Sequence, residues 1–394
     1  MTAAFDLVVV GGGIHGVGVA QRAAAAGQRV LLLEKTAVAA GTSSRSSKLI
    51  HGGLRYLETG QLRLVRESLH ERAALLRLAP DLVQLRRFLV PIYGDTRRRP
   101  WVLGAGLALY AGLAGFARGA GFGLVPRREW AALDGLATHG LERVFWYHDA
   151  QTDDAALARA VLASAQRIGA QALVPATFLG AQLHDAEVVV RYASNGGLHE
   201  CVARVLVNAA GPWAARVARE VSPAIAVPDI ELVQGTHLLL PAPAPARGLY
   251  YVESPRDGRA IFVMPWQGKL MIGTTELRYR ADPDDVAATT GESHYLLGIL
   301  RRYFPDAAAT AGREPPHAFA GLRVLPGGPG HAFHRSRETH FEVDREVAPR
   351  VISIYGGKLT TFRATAAQAL RRVAGSLPAR RAVADVDALP LTPA

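Results

Sequence analysis

The sequence predicts an α/β fold in two parts: a Rossmann-type dinucleotide-binding domain and a second, mainly antiparallel β domain of α+β character. Three observations predict it. The opening stretch from Phe5 to Lys35 reads as strand, glycine turn, helix and strand. Near the other end, Val351 to Ile354 reads as a strand running into a glycine pair and a helix. Between them, Leu232 to Leu240, Ala260 to Pro265 and Leu270 to Thr274 are short apolar runs separated by turn-rich connections, unlike the opening pattern.

The run Leu7 to Val10 is continuously apolar, as a parallel strand covered on both faces should be, and it stops at three glycines. Gly11, Gly13 and Gly16 fit G-x-G-x-x-G: one permits the turn, one admits a pyrophosphate, and one lets helix and strand pack closely. The anion would then sit on a helix N-terminus. Alanine-rich Val17 to Ala26 favours helix, Gly27 ends it, and Val30 to Leu33 forms a second buried strand closing on Glu34. Glu34 stands where an acid bonds a ribose hydroxyl and argues against a 2′-phosphate, whereas Lys35 beside it argues the other way. FAD and NAD fit equally at this point; an ordinary βαβ turn without ligand is the alternative.

Gly41 to Glu58 is dense in hydroxyls and glycines and reads as an extended loop, in which Lys48, His51, Arg55 and Tyr56 suggest a lined pocket rather than a solvated linker. Gln61 to Leu78 follows as an amphipathic helix, with Leu62, Val65, Leu69, Ala73 and Leu76 at helical spacing. Trp101 to Ala117 is uncharged and flanked by Arg97, Arg98, Arg99 and Arg118. A bilayer crossing needs about twenty apolar residues, and this run is shorter and broken by glycines, so a buried or interfacial helix is expected. Asp154 to Ile168 is a helix with acids in its first turn, as the helix dipole favours. Val188 to Tyr192 and His199 to Val202 form a hairpin around Asn195-Gly196, and Val205 to Val207 a further buried strand ending in the small residues of NAAGPW. The final helix has Thr360 and Thr361 near its start. It is not a P-loop, because Ile352 and Leu359 stand where that motif needs Gly and Ser or Thr.

At 394 residues the chain can bury a substantial core, and two domains are expected. Cys201 is the sole cysteine, which excludes an intramolecular disulfide and any cysteine cluster for zinc or iron–sulfur ligation; no metal site is expected. The first strand begins within a few residues of Met1 and contains Asp6, leaving no signal-peptide pattern, so a cytoplasmic protein is expected. The net charge of +11 and pI near 10.1 suit nucleic acid, anionic lipid or a phosphorylated substrate. The arginines are scattered and no nucleic-acid motif stands out, so no nucleic-acid partner is expected, and an arginine- and alanine-rich composition is the plain explanation.

These segments, in this order, resemble the FAD-dependent glycerol-3-phosphate dehydrogenases of the D-amino-acid-oxidase-like flavoprotein superfamily. The resemblance rests on GGGIHG at Gly11 to Gly16, TSSRSSKLIHGGLRYLE at Thr42 to Glu58 and NAAGPW at Asn208 to Trp213. It continues through QGTHLLLP at Gln234 to Pro241, MPWQGKLMIGTTE at Met264 to Glu276, GLRVLPG at Gly321 to Gly327 and YGGKLTTFR at Tyr355 to Arg363. It spans nearly the whole chain. The SSKLIHGGLRYLE block is far more family-specific than the glycine fingerprint, and it selects FAD over NAD.

The resemblance implies a discontinuous FAD-binding domain made of residues 1–78, 149–221 and 343–394, with 79–148 as a helical insertion of the substrate domain and 222–342 as its antiparallel β part. It implies cofactor contacts from Gly11, Gly13, Ile14 and Gly16 at the pyrophosphate turn and from Glu34 and Lys35 beyond it. Along the isoalloxazine it implies Thr42, Ser43, Ser47, Lys48, Leu49, His51, Gly52 and Gly53, with Ala210, Gly211 and Trp213 where NAAGPW passes the cofactor. Gly356, Gly357, Lys358, Leu359 and Thr360 would approach the pyrimidine edge.

The implied reaction is oxidation of sn-glycerol 3-phosphate to dihydroxyacetone phosphate, which needs a base for the hydroxyl proton and a clamp for the anion. His237 is the general-base candidate, a role His51 could share, while Arg55 and Tyr56 would steady the developing alkoxide. Arg323 and Arg337 would hold the phosphate, although Arg335 could replace Arg337; Lys358 could face flavin, substrate or both. A quinone would receive the electrons, at an anionic membrane surface on the cytoplasmic face of the inner membrane, with the protein peripheral there. Family members commonly continue into a further helical domain of about a hundred residues, a usual domain size, whereas this chain stops at Ala394. That departure leaves oligomeric state, membrane docking and acceptor open. The alternatives are a sibling flavoprotein acting on another small anionic hydroxy acid or amino acid, and a shortened FAD-binding paralogue without dehydrogenase activity.

Overall fold

Leu7, Val8, Val9 and Val10 are all buried, which requires a sheet covered on both faces. In the computed structural model, which describes residues 3–58, 60–115, 119–311, 316–327 and 338–393, the strand Ala3–Val10 has a parallel neighbour on each side. Val30–Leu33 is one and Gly197–Asn208 the other, with Leu7 opposite both Val30 and Val205. Val351–Tyr355 pairs in parallel with the end of Gly197–Asn208, Leu206 opposite Val351. Strands from three distant parts of the chain thus form the middle of a sheet with nine strands among the described residues.

Four helices bear on the site: α1 (Ile14–Ala25), α2 (Leu62–Leu78), α3 (Pro100–Leu113) and α4 (Asp154–Arg167). On one face of the first sheet, α1 and α4 pack with the helix Phe362–Val373 through Val17, Ala20, Leu157, Val161, Phe362 and Ala366. The second sheet has ten strands among the described residues and is mainly antiparallel. Its long pairings join Ile230–Leu240 to His317–Pro326 and Val83–Tyr93 to Leu141–Thr152. The helix Thr290–Tyr303 covers one of its faces through Leu296 and Leu300; α2 and α3 cover the other through Val65, Leu69, Leu103 and Leu107.

Three expectations change in detail. The hairpin strand and the buried strand expected after it are one strand, Gly197–Asn208. On α2 the buried stripe includes Leu64, Val65, Ser68, Leu69, Arg72 and Leu75, while Leu62 and Ala73 face out. Arg72 belongs to this buried stripe and reaches Asp149, its Nη1 2.5 Å from Oδ1. The third concerns α3, whose 14 residues span about 21 Å at 1.5 Å per residue, short of a hydrocarbon core. Among the described residues no helix is long and apolar enough to cross a membrane. Leu103, Leu107, Tyr110 and Ala111 face inward, while Trp101, 76% exposed, Val102 and Leu109 face out.

The stretch 41–58 runs between the sheets and holds only short elements: Thr42–Ser44, Leu49–Ile50 and Leu54–Leu57. Its anchor is a buried ion pair, Lys48 Nζ to Asp154 Oδ1 at 2.7 Å, at the start of α4. Lys48→Met would strand a buried carboxylate and is expected to cost about 3–5 kcal/mol of stability, checked by urea denaturation of the flavin-loaded protein.

Candidate active site

The turn after Ala3–Val10 leaves no room for side chains. Gly11 has φ of +110°, and a Cβ there would stand 2.6 Å from Ala209 O; a Cβ on Gly16 would overlap Gly11 O. The turn therefore brings α1 hard against the strand ends. Ile14 N donates to Ser43 Oγ at 2.9 Å, so a hydroxyl from the following loop caps α1. Glu34 faces the same turn: its Oε2 accepts from Gly12 N at 2.7 Å and its Oε1 from Thr36 N at 2.9 Å.

A cavity of about 1070 Å³ runs along this turn and between the sheets. One part is walled by Glu34, Lys35, Thr36, Trp213 and Arg216, and other parts by Gly11, Gly13, Ile14, His51, Arg55, Tyr56, His237, Arg323 and Lys358. Thr42, Ser43, Ser47, Leu49, Gly53, Ala210, Gly211, Gly356, Gly357, Leu359 and Thr360 also line it. Of the residues expected to touch cofactor, Gly16, Lys48 and Gly52 stand behind the wall. Gly16 is taken up by the packing of the turn, Lys48 by Asp154 and by Ser44 O at 2.6 Å. Gly52 N donates to Tyr110 Oη at 2.8 Å and to Asp149 Oδ1 at 3.2 Å, fixing the loop from its far side. Arg335 and Arg337 lie outside the described residues.

His237 lies in Ile230–Leu240, 2% exposed, with Nε2 2.9 Å from Ser47 Oγ and its ring stacked on Phe319 at 5.1 Å. A Cβ on Gly273, across the strand pair, would overlap the imidazole. Burial, followed by the charges of Lys48 and Arg323, pushes its pKa down to about 3, so the ring is neutral at neutral pH. Its Nδ1 is buried without a hydrogen-bond partner. Arg323, from the strand beside it, donates from Nη2 to Thr275 O at 2.9 Å and keeps Nη1 3.9 Å from Glu276. Lys358 Nζ stands 3.9 Å above the Tyr56 ring, with the Arg55 guanidinium 5.6 Å from that ring. His51 N donates to Thr360 Oγ1 at 3.2 Å, tying the loop to the C-terminal glycine turn.

Other lining residues were not singled out from the sequence. His15, second in α1, faces the cavity, and burial pushes its pKa down to about 4. Arg45, Tyr251, Phe262 and Thr274 also line it. His15 sits inside the glycine fingerprint, a signal that was available; Tyr251 and Phe262 are strand residues that only the tertiary fold turns toward the site.

The residues fit a flavin dinucleotide: a glycine turn closed to side chains, an acid at the end of the second strand, a capped helix start, and a cavity large enough for a dinucleotide and a small substrate. The buried neutral histidine leaves a stability signature. Between about pH 6.5 and the folded value near 3, the unfolded chain binds a proton at His237 that the folded chain does not, so stability falls as pH falls through that window. Thermal melting from neutral pH to pH 5 should therefore decline less steeply in His237→Gln than in the parent.

A model of the FAD dependent oxidoreductase family, DAO, matches residues 6–368. The chain is 36% identical over 380 residues to the D-erythritol 1-phosphate dehydrogenase of Brucella abortus (strain 2308), covering 95% of this chain and 74% of that one. It is likewise 36% identical over 381 residues to a glycerol-3-phosphate dehydrogenase of Pseudomonas aeruginosa, covering 94% and 71%. Among solved structures, the glycerol-3-phosphate dehydrogenase from Bacillus halodurans complexed with FAD superposes with a TM-score of 0.74 at 27% identity, covering 98% of this chain and 68% of that one. With the turn, the acid and the cavity in place and the family match running from Asp6 almost to the end, the chain belongs to the FAD dependent oxidoreductases, and FAD is its cofactor.

Proposed function

We propose that the protein oxidises sn-glycerol 3-phosphate to dihydroxyacetone phosphate and passes the electrons to a quinone. The observation that carries this reading is a neutral, buried histidine and a tethered arginine on neighbouring strands of the cavity wall, His237 and Arg323. FAD, when bound, supplies the hydride acceptor. The chain's own residues supply the rest. Arg323 holds the phosphate with a guanidinium whose Nη2 is already fixed on Thr275 O, so little side-chain freedom is lost on binding. Arg337 shares that anion in the same reading. His237 takes the hydroxyl proton at Nε2, the nitrogen now facing Ser47, and a dianion beside Arg323 makes the ring more basic by offsetting the charge that depresses it. Arg55, Tyr56 and Lys358 steady the oxygen as it becomes anionic, and the bond from His51 to Thr360 keeps the loop of Arg55 and Tyr56 in register with the turn that bears Lys358.

A second reading, oxidation of a longer polyol phosphate, is favoured by the equal identity to the relative named D-erythritol 1-phosphate dehydrogenase. The same anion clamp would serve. Anaerobic mixing of the flavin-loaded protein with glycerol 3-phosphate, D-erythritol 1-phosphate, glycerol and lactate separates the two by loss of the oxidised-flavin absorbance. Bleaching by glycerol 3-phosphate is expected; bleaching by erythritol phosphate alone transfers the reading to that substrate, and no bleaching overturns both. Arg323→Leu is expected to raise KM by about 10- to 100-fold, and His237→Gln to lower kcat by about 10²- to 10⁴-fold.

The quinone step requires a membrane, and we assign docking to the outer face of α3. What supports this is Trp101, Val102 and Leu109 exposed on one helix, exposed Arg97 and Arg99 at its start, and a net charge of +11. Co-sedimentation with vesicles containing phosphatidylglycerol is expected, weakened by salt and by Trp101→Glu; equal binding to neutral vesicles would overturn the electrostatic part.

A further inference from the structure

The second sheet sends one connection across the cavity to the nucleotide side. After the strand Leu277–Tyr279 the chain passes through Asp282, Pro283 and Asp284 before the helix Thr290–Tyr303 begins. Pro283, Asp284 and Val286 line the cavity beside Lys35, Trp213 and Arg216. Asp284 reaches all three: Oδ1 is 2.6 Å from Lys35 Nζ and accepts from Trp213 Nε1 at 3.0 Å, and Oδ2 is 3.2 Å from Arg216 Nη1. Asp282 adds Oδ2 to Arg216 Nη2 at 2.7 Å, and Lys35 Nζ lies 4.2 Å over the Trp213 ring. The Asp284 carboxyl is held below its ordinary range first by the hydrogen bond from Lys35.

This cluster has a definite place along the cofactor. Lys35 directly follows Glu34, and an acid at that point of a βαβ unit takes the ribose hydroxyls of the adenosine. Lys35 therefore does not offer a free ammonium to a 2′-phosphate there; it is neutralised by a carboxylate from the other half of the molecule. We propose that residues 282–286 are a strap across the adenosine end of the site, that Asp284 is its latch, and that the latch sets how fast FAD leaves. For the adenosine to leave past this side, one carboxylate must part from two cations and an indole N–H together.

The chemistry of the latch gives it a signature. Its charges are half exposed, with side-chain accessibilities of 38%, 47% and 50% for Lys35, Asp284 and Arg216. Such pairs are individually weak and screened by salt. An apolar or hydrogen-bonded closure would lack that sensitivity.

The test follows release of FAD from the holoprotein by its fluorescence after dilution, at about 0.05 M and about 0.5 M salt, where screening differs several-fold. D284N should release FAD about five- to tenfold faster than the parent at low salt, and the acceleration by salt seen in the parent should be largely lost. Equal release rates, or an equal salt response in both proteins, overturns the proposal. K35M cuts one arm only and should speed release by a smaller factor, with D284N and K35M combined no faster than D284N alone; fully additive effects would mean no shared latch. No substrate is present, so the outcome is independent of the reaction proposed above.

Discussion

A carboxylate with no access to water holds the loop that builds most of the site. Asp154 is fully buried, and burial alone would push its carboxyl toward neutrality; Lys48 and the bonds from Ser46 oppose that. Oδ2 accepts from Ser46 N and Oγ, while Oδ1 accepts from Lys48 Nζ and from Ala155 N. Once 46–48 is fixed, the rest of the loop falls into place around it. Ser43 reaches back to cap α1, Ser47 reaches His237, and Leu49–Ile50 pairs with Leu141–Thr152. Thr42 and Arg45 donate to carbonyls of Leu322 and Ala320, on the strand that carries Arg323. One buried ion pair thus sets the register between the nucleotide turn and the two strands that bear the candidate chemistry.

The electrostatics of that assembly suit an oxidation that begins with loss of a proton. Burial first, and then the charges of Lys48 and Arg323, raise the cost of a proton on His237, so the imidazole waits in its neutral form. At the opposite wall, buried Asp149 pairs with Arg72 and Tyr110 behind it, while Gly52 N completes the set. These buried charges hold backbone, while Arg55, Arg323 and Lys358 face the cavity.

Much of this was legible in the sequence, because local rules wrote it. The glycine turn, the acid after the second strand and the short uncharged helix with arginines at its start each follow from spacing and composition over a few residues. The pairings that complete the site are of another kind. Asp154 reads as a dipole-complementing acid at a helix start, and nothing near it in sequence says that Lys48 will be its partner. Nothing near Arg72 in sequence says that it will turn inward to Asp149. His15 lay within the fingerprint, but a helix start does not disclose which glycine turn from the far end of the chain will close over it. What escaped the sequence was long-range charge and side-chain pairing, decided by the closure of the two sheets.

The interleaving of the chain between those sheets governs how the molecule is made. The strand Ala3–Val10 is made some two hundred residues before its partner Gly197–Asn208, and Val351–Tyr355 follows later still. A segment that folds as it emerges cannot complete this nucleotide site early, since contacts between segments far apart in sequence carry the larger closure cost. The half-made first sheet must wait with an open edge while the second assembles, and the cofactor finds a finished cradle only after Val351–Tyr355 has joined it.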